Sequence, residues 1–195
     1  MRLSSYETGA LRRQRAFVGL TRALGGEVDD VGKVALRRPA FFGRPFLAFA
    51  HSLLRGPSAW SVGERELFAA VVSRANSCQF CVATHGEIAA KQLGRDVLER
   101  LDEGRFSPPA AAAATFVEAL TRDPHSVSAG DLERARAAGV EDDALAEAIY
   151  VAFIFNTINR VADALGFEHR SDRDRRRGAT VLRRLGYYLP GFLLR

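Results

Sequence analysis

The stretch SVGERELFAAVVSRANSCQFCVATHGEIAAKQLG, residues 61–94, decides how this chain folds. It reads as two helices joined by a tight break. Ser61 followed three residues later by Glu64 is a capping box, so a helix starts at Ser61. It runs to about Ala75 with Leu67, Phe68, Val71 and Val72 as its apolar side. Asn76-Ser77 supplies a break and a fresh N-cap. A second helix then begins at Ser77 or Cys78 and ends at Gly94, a natural glycine stop. On that second helix Cys78, Cys81 and His85 fall at i, i+3 and i+7, which is one face.

Outward from this pair the punctuation stays helical. Residues 7–24 form a basic amphipathic pattern ending at Gly25-Gly26. The segment from Pro39 to Leu54 is rich in phenylalanine (Phe41, Phe42, Phe46, Phe49), with a turn or helix start at Pro45. Asp96 to Glu103 makes a short helix closed by Gly104, and Pro108-Pro109 opens an alanine-rich helix to about Arg122. Ser128 begins another box-like start with Gly139 as the stop, and the longest helix spans Asp142 to Leu165, closed by Gly166. Roughly seven or eight helices and no convincing strand define an all-α chain. Residues 1–168 are expected to form one helical domain, and residues 169–195 an Arg-rich tail with an apolar C-terminus. That apolar end, Tyr187 to Leu194, is expected to dock on its own fold or on a neighbouring subunit in preference to anionic lipid.

Composition narrows the function classes. With 195 residues, 47% of them hydrophobic and 26% charged, the chain is long enough for one well-packed core. The net charge of +5 raises the question of nucleic acid. Only Lys33 and Lys91 are lysines, however, and the arginines are interspersed with acids, so a nucleic-acid partner is not expected. The start of the chain shows no apolar core of a secretory signal, and the run from Leu145 to Phe155 is too short to span a bilayer. These features point to a cytoplasmic protein without a membrane partner.

The only two cysteines stand as Cys78-Gln79-Phe80-Cys81. A bridge across two intervening residues adds little by loop entropy, so the pair is better explained by chemistry than by stapling. A thiol attacks as thiolate and needs its ordinary pKa of about 8.5 brought down. The first turn of a helix favours negative charge there. His85, one turn beyond Cys81, can accept the proton. Glu66 can orient His85 and stabilise its protonated form. Glu66 shares its helix face with Val62, Ala69, Ala70 and Ser73, small residues that admit a close helix neighbour, whereas Arg65 and Arg74 are expected to point elsewhere. A buried carboxylate needs a partner, and His85 is the candidate. Two further readings of the cysteines stay open: a zinc site built from Cys78, Cys81, His85 and one more ligand, and two inert core thiols.

From Ser61 to Lys91 the sequence resembles the AhpD-like alkylhydroperoxidase branch of the carboxymuconolactone decarboxylase superfamily. The likeness rests on Glu66, the C-x-x-C pair and His85 at these spacings, with Arg65-Glu66-Leu67, Asn76-Ser77-Cys78 and Cys81-Val82-Ala83-Thr84-His85 fitting the peroxidase-related members. The run Phe155 to Asp163 also looks like theirs, and the resemblance extends over residues 39–167. It implies an all-α fold assembled as a homo-oligomer, a trimer or a hexamer, and thiol-dependent reduction of hydroperoxides. By analogy Cys81 attacks the peroxide, Cys78 resolves the sulfenic acid to a disulfide, and His85 with Glu66 forms the proton relay. No cofactor is implied beyond the cysteine pair, which an external dithiol such as dihydrolipoamide or a protein reductant would re-reduce. Phe80 departs from the best-known members, which carry a histidine between the cysteines; it makes the pocket more apolar.

Asn156, Asn159, Arg160 and Asp163 make one polar face on an otherwise apolar helix, read as a hydrogen-bonded network fixing helix packing or as a pocket wall. His51 is expected to be packed or capping, His125 and His169 to be exposed. General thiol–disulfide exchange is the near neighbour of the peroxidase reading. An interaction or regulatory protein working through the basic tail is the alternative from another class. The enzyme reading expects activity to vanish with either cysteine and to survive removal of residues 170–195.

Overall fold

Caps and glycines written in the sequence place most of the helix ends. The computed structural model describes residues 1–7, 11–169 and 171–195, and among these there are ten α-helices and no strand. They are α1 (Arg12–Ala23), α2 (Asp30–Arg37), α3 (Arg44–Arg55), α4 (Val62–Ala75), α5 (Gln79–Leu93), α6 (Val97–Asp102), α7 (Pro108–Arg122), α8 (Ala129–Ala137), α9 (Asp142–Leu165) and α10 (Asp172–Leu185). At the start of α4, Glu64 Oε2 accepts from the Ser61 amide at 2.8 Å while Ser61 Oγ accepts from the Glu64 amide at 3.3 Å. Gly94, Gly104, Gly139 and Gly166 all have positive φ, the left-handed stop expected of each.

The count exceeds the seven or eight helices expected because α2 and α10 were not legible as helices. α2 is only eight residues long, short for a periodicity to emerge. Its start is nonetheless marked by Asp29, whose Oδ1 accepts from the Gly32 amide at 2.6 Å. α10 hides in the arginine run, with Ser171 as its N-cap accepting from the Asp174 amide at 3.1 Å. The basic helix expected over 7–24 is found from Arg12 to Ala23; its residues 8–10, and Arg170 of the tail, lie outside the described residues. Pro39–Gly43 forms a π-helical turn directly ahead of α3.

The chain divides into two compact units, Met1–Ser52 with Val161–Arg195, and Leu53–Arg160. In the first, Val18, Val28, Leu36 and Leu193 form one apolar cluster, and Ala35, Leu47 and Leu194 another. The apolar C-terminus therefore docks on its own fold. The buried Gln14 clamps it, Nε2 donating to the Leu193 carbonyl at 2.9 Å, and the His51 ring packs tilted against that of Tyr188 with centroids 3.9 Å apart. Leu193 and Leu194 supply one buried member to each cluster. Gly43 is a real requirement, since a Cβ there would lie 2.4 Å from the Ala35 carbonyl oxygen. The buried Lys33 is neutralised by Asp30, Glu27 and Glu7 at 2.8, 3.1 and 3.3 Å.

The second unit is built around α4, which packs against α5 and α7. Every residue from Arg65 to Ser73 is buried, so α4 is enclosed on all sides and not only along the side that Leu67, Phe68, Val71 and Val72 define. Small residues permit this. Ala69 and Ala70 are fully buried, and a Cβ on Gly63 would meet Leu93 Cγ at 2.7 Å and Gln92 Cβ at 2.8 Å. The first turn of α4 and the last turn of α5 thus touch through a missing side chain. Trp60 leads into α4, its indole N–H donating to the Ala144 carbonyl of α9 at 2.7 Å and its ring meeting Phe68 edge-on.

Candidate active site

The break between α4 and α5 sets where the cysteines stand. Asn76 caps α4, Ser77 turns left-handed with φ of 61°, and Cys78 follows. The Ser77 amide donates to the Arg74 carbonyl and the Cys78 amide to the Ser73 carbonyl, both at 2.9 Å. That pair of bonds is a Schellman stop, here with serine where glycine is usual. Cys78 is at once the residue that closes α4 and the N-cap of α5. Cys81 is third in that helix, among the amides that have no intrahelical acceptor, where backbone dipoles favour a thiolate. Both are buried thiols, Cys81 2% exposed and Cys78 0%.

Side-chain amides hold this joint in place. Asn76 donates to Asn156 Oδ1 and Asn159 Oδ1, each at 2.9 Å. Asn159 Nδ2 donates to Ser73 Oγ at 3.1 Å, and Ser73 Oγ donates to the Ala69 carbonyl at 2.7 Å. Asn156 reaches Thr121 Oγ1 at 3.2 Å. The polar face of α9 is therefore a packing network for Asn156 and Asn159, tying the cysteine-bearing joint to α9 and α7. Arg160 and Asp163 of the same face are exposed.

Glu66, in the middle of α4, is completely buried and meets His85 of α5: Glu66 Oε2 lies 2.7 Å from His85 Nδ1. The pairing inferred from small neighbours and burial is present. A second partner was not foreseen. Arg55, the last residue of α3, places Nη1 2.7 Å from Glu66 Oε1. Nothing in the sequence ties an arginine before Gly56-Pro57 to a glutamate on the following helix; only the chain turning back brings them together. Burial pushes the Glu66 pKa up. The hydrogen bond and charge of His85, with the charge and hydrogen bond of Arg55, outweigh it and hold the carboxyl below its ordinary value.

Arg65 points away from the face that Glu66 shares with the small residues. It is buried, and its Nη1 donates to the Leu53 and Gly56 carbonyls at 2.8 and 2.9 Å, fastening the α3–α4 connection that carries Arg55. The His85 ring is held edge-on against Phe155 with centroids 4.5 Å apart. Phe80, between the cysteines, is also buried. Cys81 precedes His85 by four residues on α5, one turn away on the same face. The four residues singled out by spacing thus lie on two packed helices, with the acid–imidazole contact formed and both thiols in the first turn. Among the described residues no group of three or more His, Cys, Asp and Glu side chains is arranged to hold a metal ion.

Residues 41–103, the segment carrying Arg55, Glu66, both cysteines and His85, match the model of the carboxymuconolactone decarboxylase family, and the all-α fold is shared with AhpD-like proteins. Among solved structures, the chain is similar to an uncharacterized peroxidase-related protein from Silicibacter sp. TM1040, at 24% identity and a TM-score of 0.70, over 89% of this chain and 93% of that one. It is also similar to the alkylhydroperoxidase AhpD core of an uncharacterized peroxidase-related protein from Ralstonia eutropha JMP134, at 24% identity and a TM-score of 0.65, over 83% and 88% of the two chains. No curated protein matches the chain. Among the described residues no helix is long and apolar enough to cross a membrane.

Proposed function

We propose that the protein is a thiol-dependent hydroperoxide reductase working through a Cys78–Cys81 disulfide cycle. The observation that carries this is the buried Glu66–His85 pair, whose His85 stands one helical turn from Cys81 on α5, the helix whose start holds both thiols. His85 takes the Cys81 proton. The thiolate attacks the terminal peroxide oxygen; an S–O bond forms, the O–O bond breaks, and the leaving alkoxide takes a proton from His85 to depart as alcohol. Cys81 is then a sulfenic acid. Cys78 attacks its sulfur, the S–S bond forms and water leaves. An external dithiol or a protein reductant returns both thiols, and the working assembly is a homo-oligomer, a trimer or a hexamer.

Burial of both thiols fits a small substrate better than a folded protein's disulfide, and so favours peroxide reduction over general thiol–disulfide exchange. Phe155 against His85 and the buried Phe80 between the cysteines favour organic hydroperoxides over hydrogen peroxide. The test is the intact mass of the reduced protein before and after one equivalent of an organic hydroperoxide. Loss of two hydrogens in the wild type, with a single oxygen adduct or no change in Cys81→Ser, supports the cycle. Full peroxide turnover in Cys81→Ser and Cys78→Ser refutes it.

A further inference from the structure

We propose that Arg55 is a positioning residue for this site: by occupying Glu66 Oε1 it makes Glu66 an acceptor at both oxygens, which fixes the His85 proton on Nδ1 and leaves Nε2 to receive the thiol proton. The argument is one of donors and acceptors. A guanidinium can only donate, so Oε1, 2.7 Å from Arg55 Nη1, acts as acceptor. Oε2 lies 2.7 Å from His85 Nδ1. The carboxyl is held ionised, so Nδ1 is the donor in that bond. A neutral imidazole with its hydrogen on Nδ1 presents Nε2 as an acceptor. Without the guanidinium, a proton on Glu66 facing Nδ1 would give the opposite tautomer, with Nε2 a donor that cannot take a proton from Cys81.

The guanidinium is itself fixed. Arg55 Nη1 also donates to the Leu54 carbonyl at 2.7 Å, and Arg65 holds the carbonyls of Leu53 and Gly56 on either side of it. Among the described residues, the charged groups acting on the pair include Arg55 at the end of α3, Arg65 and Glu66 on α4 and His85 on α5, with Glu147 of α9 acting on Arg65. α9 presents an uncharged ring, Phe155, to His85. Nη1 of Arg55 is the cationic donor on Glu66, so the tautomer is set by a residue that need not touch substrate.

This inference rests on His85 serving the cysteines, and its test does not require peroxide. Long-range ¹⁵N spectra of His85 and the pH dependence of thiol alkylation are recorded for wild type, Arg55→Gln and Arg55→Lys. Glutamine can donate or accept and no longer dictates the carboxyl's role; lysine still only donates. The expected result is an Nδ1–H signature in wild type and Arg55→Lys, a mixed or Nε2–H signature in Arg55→Gln, and alkylation in Arg55→Gln about tenfold slower at neutral pH, the equivalent of one pKa unit. A folded Arg55→Gln with the wild-type tautomer and alkylation profile overturns the proposal. If Arg55→Gln does not fold, Arg55→Lys decides: an Nδ1–H signature supports the proposal and an Nε2–H signature overturns it. A wild type that shows the Nδ1–H signature yet fails to reduce peroxide would sink the peroxidase reading and leave the role of Arg55 standing.

Discussion

Replacing Glu66 by glutamine keeps the shape of the site and changes only charge and bonding capacity. Both carboxylate oxygens are engaged at 2.7 Å, one by Arg55 and one by His85, with no exposure of the glutamate side chain. An amide turned to give its oxygen to Arg55 must offer its NH₂ to His85, which drives the ring to the tautomer that cannot accept a proton at Nε2. Peroxide turnover should fall about a hundredfold or more, the range for a lost general base. Removing one partner of a buried ion pair costs about 3–5 kcal/mol. Arg55 keeps 10% of its side chain exposed, so the lower end, about 3 kcal/mol, is expected. For a chain of this size that is a melting temperature lower by about 6–12 °C.

Because Glu66 titrates below its ordinary value of 4.5, its contribution is complete above that pH and is lost as pH falls through the depressed folded value. The gap between wild type and Glu66→Gln should therefore be constant from neutral pH down to about 4.5 and narrow as pH falls below it. Thermal unfolding followed by circular dichroism across that range measures it. A variant that melts within about 1–2 °C of wild type at neutral pH, or a gap that does not change with pH, refutes the buried ion-pair reasoning.

Four further outcomes follow from backbone geometry and packing. Ser77→Gly should raise the melting temperature by about 2–4 °C, since φ of 61° is strained for serine; a lower value would show that the Ser77 side chain contributes something the turn geometry does not reveal. Gly63→Ala should destabilise by about 1–3 kcal/mol through its 2.7 Å approach to Leu93. Gly86→Ala, with nothing within 4 Å, should stabilise by up to about 1 kcal/mol, so equal signs in denaturant melts of the two variants would contradict the close helix contact. Leu193→Ala, at a fully buried position, should cost about 2–5 kcal/mol, visible as faster limited proteolysis within residues 1–52; an unchanged digestion rate would mean the terminus is not part of that core.

The sequence was most readable where a cap or a stop carries its own chemistry. The Ser61–Glu64 box, the glycines after α5, α6, α8 and α9 and the Asn76-Ser77 break are local signals, and they framed both site helices correctly. The Glu66–His85 contact followed from one step of tertiary reasoning, a buried carboxylate among alanines needing a partner. Arg55 and Arg65 were illegible for the opposite reason: arginine at a helix end is ordinarily solvated, and only the return of α4 beneath the end of α3 buries these two. The short α2 and the arginine-laden α10 fell below what periodicity resolves, although the Asp29 and Ser171 caps were present to be read.

The clamp from Gln14 to Leu193 spans 179 positions of the chain, and this has a consequence for the order of biosynthesis. At about 5–20 residues per second, roughly 9–36 s separate the emergence of these two residues. Through that interval α1 and α2 lack Leu193, a member of their own apolar cluster, whereas residues 53–160 are continuous in sequence and can close on themselves as they are made. The cysteine-bearing segment is thus assembled early, from neighbours in time, and the N-terminal helices are left waiting with Val18 and Leu36 uncovered by their last partner. A chaperone that binds this nascent chain would find its apolar target at the beginning of the protein, not around the cysteines.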